Sequence, residues 1–261
     1  MPDTTLTDHV YKTLGDIELQ IHVYRPSAPA ESPRPGVVFF FGGGWQGGAP
    51  DQFRPQCRHL AARGMVAATA EYRIKGLHGT APDACVEDGK SAVRWLRAHA
   101  ADFDLDPDRL AAGGGSAGGH VAAATALCPG FETPGEDHSI SSRPDALALF
   151  NPVADNGPDG YGHDRVAPWF PAISPRHNIA AGAPPTLFML GTQDYLIPVA
   201  SARDYQAAMQ AVGSRCDLVL YDGQPHGFFN HRLAEDGTLN PWFVLTVAEM
   251  DRFFTSLGYL T

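Results

Sequence analysis

The chain has 261 residues, 44% of them hydrophobic and 18% charged, a composition typical of a globular protein with an extensive core. Its formal net charge is −10 and no basic cluster interrupts that acidity, which argues against nucleic acid and anionic membranes as partners. No stretch approaches the ~18 apolar residues of a membrane span, and the N-terminus lacks the pattern of a secretory signal.

Eight strands and five helices are predicted from the hydrophobic pattern, in alternation along most of the chain. The predicted strands cover residues 7–13, 18–24, 37–41, 65–72, 110–115, 146–153, 186–192 and 216–221. The predicted helices lie within residues 52–63, 82–101, 117–127, 200–212 and 242–257. This rhythm predicts an α/β fold as a single domain over residues 1–261, with a mostly parallel twisted sheet and helices on both faces. One long irregular stretch, residues 154–185, is rich in Gly and Pro and is expected to form a small lid.

The four cysteines are far apart and resemble neither a disulfide framework nor a zinc knuckle. We therefore expect a reduced, cytoplasmic protein. The sequence contains no HExxH metal motif, no phosphate-binding loop and no dinucleotide fingerprint, so neither a metal nor a cofactor is expected.

Residues 113–120 read GGGSAGGH and stand between a predicted strand and a predicted helix. A strand, a small-x-Ser-x-small turn and a helix form a nucleophile elbow, in which the serine adopts a strained conformation at the carboxyl edge of the sheet. Glycine at Gly114 and Gly118 would remove collisions with the neighbouring strand and helix. The alternative is a glycine-rich packing turn, because the GxSxG pattern alone often matches by chance.

A serine nucleophile needs a base and an orienting acid, which in this kind of fold follow it in the order acid, then histidine. Asp194 lies two residues after the predicted strand 186–192, and His226 lies in the loop after strand 216–221. Loops after parallel strands open at the same edge of a sheet, so we expect Ser116, Asp194 and His226 to converge there.

Three other residues compete for these roles. His120 lies on the helix that leads away from the serine and is interpreted as a packing or supporting residue. His231 lies further along a polar loop, and its pairing with His226 is the one candidate metal pair. Asp222 is an alternative acid, although its closeness to His226 in sequence makes a side-chain approach difficult.

An oxyanion hole needs backbone N–H donors near the reacting carbonyl. The motif FGGGW, residues 41–45, directly follows a buried strand and so lies at the carboxyl edge. The N–H of Ala117, the residue after the candidate nucleophile, is a second source of a donor. A simple glycine turn is the alternative interpretation of the FGGGW motif.

Together these motifs resemble those of α/β-hydrolases of the hormone-sensitive-lipase-like group, close to acetyl esterases and bacterial feruloyl esterases. The motifs that carry the resemblance are FGGGW (41–45), GGGSAGGH (113–120), GTQD (191–194) and PHGF (225–228). The resemblance implies Ser116 as nucleophile, His226 as base and Asp194 as its orienting acid. It implies an oxyanion hole built from the N–H groups of Gly43, Gly44 and Ala117. It also implies hydrolysis of carboxylic esters, usually with short acyl chains, without a cofactor.

Two features depart from the family pattern. The glycine motif usually begins with histidine, and Phe41 takes that place here, so the usual hydrogen bonds that brace the loop cannot form. We expect the Phe41 ring to brace the loop by packing. Only about forty residues precede the motif, so the pocket is expected to be more open than in relatives with an N-terminal cap.

Aromatic residues are the candidate substrate contacts. They are Trp45, Trp169, Phe170, Tyr195 and Phe228. For the aromatic residues of the 154–185 stretch, which also include Tyr161, the equally weighted alternative is that they anchor the stretch to the body.

The expected partner is a small-molecule ester, and a homo-oligomer is left open. Acetylated sugars, feruloyl esters and simple aliphatic esters all remain candidate substrates. Amide, formamide or small-peptide hydrolysis and acyl transfer would use the same residues. A non-catalytic binding protein on this scaffold is disfavoured, because such proteins usually lose one member of the Ser-His-Asp set.

Overall fold

The computed structural model describes residues 3–234 and 236–261. Its strands are β1 (Thr4–Leu14), β2 (Ile17–Pro26), β3 (Arg34–Phe40), β4 (Val66–Ala70), β5 (Leu105–Gly115), β6 (Ala146–Phe150), β7 (Thr186–Gly191) and β8 (Cys216–Tyr221). They form one sheet in the order β1-β2-β4-β3-β5-β6-β7-β8. The pairs β1–β2 and β2–β4 are antiparallel and the other pairs are parallel, so the carboxyl ends of β3 to β8 share one edge.

Helices cover both faces of the sheet. They are α1 (Arg54–Ala62), α2 (Lys75–His78), α3 (Pro82–Ala98), α4 (Ala117–Leu127), α5 (His163–Val166), α6 (Val199–Ala211) and α7 (Pro241–Ser256), with 3-10 turns at Pro50–Phe53, Ala100–Phe103 and Pro175–Asn178. Helices α1 and α7 pack on the face that includes Phe39, and α3, α4 and α6 pack on the face that includes Phe40. Strand β3 is therefore apolar at successive positions, because both of its faces are buried.

The predicted α/β fold with eight strands is confirmed, and the differences lie mainly at element ends. Strand β5 begins at Leu105, five residues before the predicted start, whereas β6 ends at Phe150, three residues before the predicted end. The early end of β6 has a local cause, because Asn151 adopts a φ of 35° and turns the chain out of the sheet. Among the described residues, no helix has the length and apolar character needed to cross a bilayer.

A second irregular segment, residues 128–145, was not predicted. Lys90 and Arg94 of α3 both bind Glu132 in this segment, and Arg94 also binds Glu136. Burial alone would raise the pKa of Glu132, but its hydrogen bonds to Arg94 and Lys90 lower it to about 2. The segment is thus held by ion pairs, which the hydrophobic pattern of the sequence does not reveal.

Candidate active site

Ser116 stands at the turn between β5 and α4 with φ 54° and ψ −119°, a conformation that non-glycine residues rarely adopt. Its N–H donates to the carbonyl oxygen of Phe150 at 3.0 Å. A Cβ at Gly114 would lie 2.5 Å from the carbonyl carbon of Gly118, and one at Gly118 would lie 2.1 Å from the carbonyl oxygen of Phe40. Both flanking positions therefore need glycine, because side chains there would collide with the backbone.

The structure brings the three predicted polar side chains into one chain of hydrogen bonds. His226 Nε2 lies 2.9 Å from Ser116 Oγ, and His226 Nδ1 lies 2.7 Å from Asp194 Oδ2. The Asp194 side chain is fully buried, and its other oxygen accepts from the N–H groups of Leu196 and Ile197. With both oxygens engaged, the carboxylate is fixed in orientation and holds the imidazole toward the serine.

The competing residues lie in other places. Asp222 accepts a hydrogen bond from the hydroxyl of Thr192 at 3.1 Å, and Asp194 is the carboxylate in contact with His226. The ring of His231 packs edge-on against Phe243, with 4.9 Å between ring centroids. Neither competitor reaches the serine hydroxyl.

The glycine loop, residues 41–48, runs beside the serine. A Cβ at Gly42 would lie 3.3 Å from the Cβ of Ser116. Gly43 and Gly44 have φ values of 134° and 63°, which turn the backbone sharply. Within residues 3–234 and 236–261, no group accepts from the N–H of either glycine. These two donors are thus available to a ligand.

Two of the peptide groups that carry the candidate oxyanion donors are polarised by hydrogen bonds to their carbonyl oxygens. The Gly43 carbonyl, in the same peptide group as the Gly44 N–H, accepts from the N–H groups of Gln46 and Gly47. The Ser116 carbonyl, which shares a peptide group with the Ala117 N–H, accepts from His120 and Val153. Hydrogen bonds to a peptide carbonyl strengthen the N–H of the same group as a donor.

Phe41 braces the glycine loop by stacking. Its ring is buried and lies 4.2 Å from the ring of Tyr72, nearly parallel to it. The Tyr72 hydroxyl donates to the Phe41 carbonyl oxygen at 2.5 Å. A Cβ at Gly48 would lie 2.6 Å from the Phe41 ring, so the two ends of the loop pack against each other. An aromatic pair with one hydrogen bond thus holds the loop.

We expect Phe41→Leu to lower kcat/KM for acetate, butyrate and octanoate esters together, by about tenfold. A fully displaced oxyanion donor costs about 10²–10³, and leucine displaces the loop only in part. The measurement is kcat/KM for the three p-nitrophenyl esters. Phe188→Leu is the control, because Phe188 also packs on a tyrosine, Tyr205, but away from the glycine loop. Preserved acetate turnover with a preference for longer chains would instead make Phe41 a wall of the acyl pocket.

His120 connects the glycine loop to the segment 154–185. Its Nδ1 accepts from the indole N–H of Trp45 at 3.3 Å, and its Nε2 donates to the carbonyl oxygen of Ile173 at 3.0 Å. The side chain is fully buried, which lowers the pKa of His120 to about 4. His120 is therefore a supporting residue, as the sequence interpretation held, and it is neutral at neutral pH.

Acidification should destabilise the protein through His120. Below pH 6.5 the unfolded chain takes up a proton at this residue, whereas folded His120 stays neutral until about pH 4. The free energy of unfolding should fall by about 1.4 kcal/mol per pH unit in that window. Urea unfolding at pH 7, 6 and 5 measures it, and His120→Gln should show a shallower slope than the exposed control His138→Gln. Parallel pH profiles for the two variants would contradict this assignment.

The five aromatic candidates for substrate contact fall into three environments. Tyr195 is 77% exposed and its ring centroid lies 6.0 Å from that of His226. Trp169 and Phe170 pack on a small cluster that includes Val86, Ala124 and Val166, so they anchor the segment 154–185.

The other two rings are buried, and Trp45 also borders the cavity beside Gly44. Trp45 is 2% exposed and packs against His120 and Tyr161. Phe228 is 6% exposed and packs against Tyr221. Both residues directly follow a glycine, and the backbone turns their rings inward.

Two amide residues at the site were missed by the sequence interpretation. Asn151 follows β6 directly; its Oδ1 accepts from the Gly227 N–H at 3.0 Å and its Nδ2 lies 3.4 Å from His226 Nε2. Gln52 accepts from the Gly42 N–H at 2.6 Å. The predicted strand 146–153 included Asn151, so nothing in the sequence pattern indicated that this residue lies in the turn at the carboxyl end of β6.

Two cavities differ in their relation to this site. One of about 270 Å³ borders Gly44 and includes Arg165, which donates to the Gly44 carbonyl oxygen at 3.0 Å. A larger one, of about 780 Å³, lies beside the segment 128–145 and is bordered by Lys90 and Arg94, which are paired with Glu132. The larger cavity contains none of the predicted site residues. The hydrogen-bonded side chains, and not the size of a cavity, therefore mark the candidate active site.

Comparisons with known proteins identify similar hydrolases and esterases. A family model described as BD-FAE matches residues 21–149, and a model of the dienelactone hydrolase family matches residues 157–239. The probable isoprenylcysteine alpha-carbonyl methylesterase of Oryza sativa subsp. japonica is 31% identical over 217 residues, which cover 74% of this chain and 51% of that protein. The chain spans about half the length of curated relatives that it matches.

Solved structures match over nearly the whole chain. Esterase 2 of Thermogutta terrifontis phosphorylated by paraoxon is 42% identical with a TM-score of 0.90, covering 98% of this chain and 95% of that one. The butyrate-bound form of the same esterase is 41% identical with a TM-score of 0.91, covering 98% and 95%. With this sheet topology and this identity to a solved esterase, the chain belongs to the α/β-hydrolase family of hormone-sensitive-lipase-like and feruloyl-esterase-like proteins.

Proposed function

We propose that this protein is a serine carboxylesterase in which Ser116 is the nucleophile, His226 the general base and Asp194 the orienting acid. The observation that carries the proposal is the continuous hydrogen-bond chain from the buried Asp194 carboxylate through His226 to the hydroxyl of a strained serine. Nucleophile, base and orienter within hydrogen-bond reach are the arrangement that activates a serine.

In the first half of the reaction, His226 Nε2 takes the Ser116 proton as Oγ attacks the ester carbonyl carbon. The carbonyl oxygen gains negative charge and is bound by the N–H groups of Gly43, Gly44 and Ala117. His226 then donates the proton to the leaving alcohol as its bond to the carbonyl carbon breaks. The acyl group stays on Ser116 Oγ.

In the second half, a water molecule attacks the acyl carbon while His226 takes its proton. The same oxyanion donors bind the new tetrahedral intermediate. Its collapse breaks the bond to Ser116 Oγ, His226 returns the proton to that oxygen, and the carboxylic acid leaves. The enzyme is restored without a metal or a cofactor.

We propose short-chain acyl esters as the substrate class, including esters of sugars or aromatic acids. Two observations support it. Thermogutta terrifontis esterase 2, similar over nearly the full chain, has been solved with propionate and with butyrate bound. Trp169 and Phe170 are engaged in anchoring the segment 154–185 and offer little apolar lining for a long chain.

A substrate panel and a covalent label test the proposal together. The panel is kcat/KM for p-nitrophenyl esters from acetate to laurate, with acetylated xylan and methyl ferulate, and the expected maximum lies at the short acyl chains. Incubation with paraoxon should add one diethylphosphoryl group to Ser116 and release p-nitrophenol, as intact-mass analysis and peptide mapping would detect. Absence of ester turnover together with absence of the Ser116 adduct would overturn the proposal.

A further inference from the structure

Three side-chain amides connect the glycine loop to the histidine loop, residues 222–231. Gln52 Oε1 accepts from the Gly42 N–H at 2.6 Å, and Gln52 Nε2 donates to Asn230 Oδ1 at 2.9 Å. Asn230 Nδ2 donates to the Gly227 carbonyl oxygen at 2.9 Å. The Gly227 N–H donates to Asn151, whose Nδ2 faces His226. Hydrogen bonds thus run without interruption from the glycine loop to the loop that carries His226.

Each of these amides is adjacent in sequence to a phenylalanine. The three phenylalanines, Phe53, Phe150 and Phe229, pack together beneath the site with ring centroids 4.9 to 5.7 Å apart. A Cβ at Gly115 would lie 2.5 Å from the Phe229 ring, so this aromatic group also fits against the residue before Ser116. Each segment therefore places a ring in the core and an amide at the site.

The chain of amide hydrogen bonds holds two parts of the site that the proposed reaction needs at a fixed distance from each other: the glycine loop and the loop that carries His226. The bond to Gln52 sets the plane of the Gly42 peptide group, which leads into the Gly43 and Gly44 donors. The bonds to Gly227 hold the residue directly after His226. A displacement of about 1 Å between catalytic groups can cost about 10²-fold in rate.

We propose that Gln52 and Asn230 are positioning residues that hold the oxyanion donors and the base at one fixed separation. This inference rests on the proposed function. Neither side chain bonds to Ser116, Asp194 or His226, so both act through the backbone of the two loops. Both amides are uncharged, so their effect is on geometry and not on the charge of the site.

The test uses Gln52→Met, Asn230→Leu and the double variant, which remove the hydrogen bonds and keep most of the volume. Each single change should lower kcat by about 10- to 100-fold and leave KM within about threefold, since the donors act mainly in the transition state. The double variant should lie within about threefold of the stronger single one, because either change breaks the same chain.

Gln206→Met is the matched control. Gln206 is also partly buried and donates to a backbone carbonyl, that of Cys216, but on α6 and away from the site. Its kcat should equal that of the unchanged protein, with a loss of thermal stability similar to that of Gln52→Met.

A second readout separates positioning from simple loss of structure. A trifluoromethyl ketone forms a tetrahedral adduct with the serine and needs the oxyanion donors, whereas butyrate as product inhibitor does not form that adduct. Affinity for the ketone should fall in the same ratio as kcat in Gln52→Met and Asn230→Leu, with butyrate inhibition unchanged.

Multiplying effects in the double variant, or a drop in stability with kcat and ketone affinity unchanged, would reduce both residues to a structural role. Ser116→Ala is measured alongside. If it turns over esters normally, the proposed function fails; if it is inactive while Gln52→Met is fully active, only the positioning inference fails.

Discussion

Replacing Ser116 with alanine should leave a folded protein that has lost nearly all ester turnover. Without Oγ no acyl-enzyme can form, and removal of the nucleophile lowers kcat by about 10⁶ in a well-studied serine hydrolase. The oxyanion donors remain and could account for a residual rate about 10³–10⁴ above that in water. The free energy of unfolding should change little, because alanine occupies the same strained backbone position and removes no core packing.

The measurement is kcat for p-nitrophenyl butyrate, with pre-steady-state kinetics to detect the nitrophenol burst of acyl-enzyme formation. The unchanged protein should show a burst whenever deacylation limits turnover, and Ser116→Ala should show none. Paraoxon labelling at Ser116 should also disappear. A folded variant with turnover near normal would exclude the nucleophile elbow as the reacting centre.

Asp194→Asn should lower kcat by about 10⁴, comparable to the loss of an orienting aspartate in other serine hydrolases. The asparagine oxygen can still accept from the Leu196 and Ile197 N–H groups, which directs its NH₂ group toward His226 Nδ1. That nitrogen must then accept, so the imidazole proton moves to Nε2. A protonated Nε2 cannot take the proton of Ser116, although the geometry is nearly unchanged.

Asp222→Asn is the matched control, because Asp222 is the competing acid and lies four residues before His226, at the start of the histidine loop. It accepts a hydrogen bond from Thr192 and lies on the surface. We expect its kcat to stay within about twofold of normal, as for most surface changes. A large loss in Asp222→Asn with Asp194→Asn near normal would exchange the two assignments.

The convergence of Ser116, Asp194 and His226 could be predicted from the sequence for a topological reason. Each residue follows a strand that the sequence pattern predicts, and parallel strands end at one edge of the sheet. The strand order itself did not need to be known. The assignment of catalytic roles to these residues remains the proposal made above.

The sequence could not distinguish aromatic residues of the core from those of a pocket. Trp45 follows three glycines and was predicted to contact the substrate; its indole is buried with a positive φ of 60° and donates to His120, and it also borders the cavity beside Gly44. An aromatic residue gives the same sequence signal in the core and in a pocket. Only the backbone conformation determines which of the two its ring occupies. The link between Gln52 and Asn230 was equally out of reach, because no local pattern relates residues so far apart.

The hydrogen bond between Gln52 and Asn230 joins positions 178 residues apart, and the bond between His226 and Ser116 joins positions 110 residues apart. Contacts of such sequence separation close large loops and form only when distant parts of the sheet have docked. During refolding, helices and local turns can form before this docking, so recovery of circular dichroism should precede recovery of hydrolysis. Ester turnover is then a reporter of completed assembly: a chain with most of its helices formed but β8 undocked has no working centre.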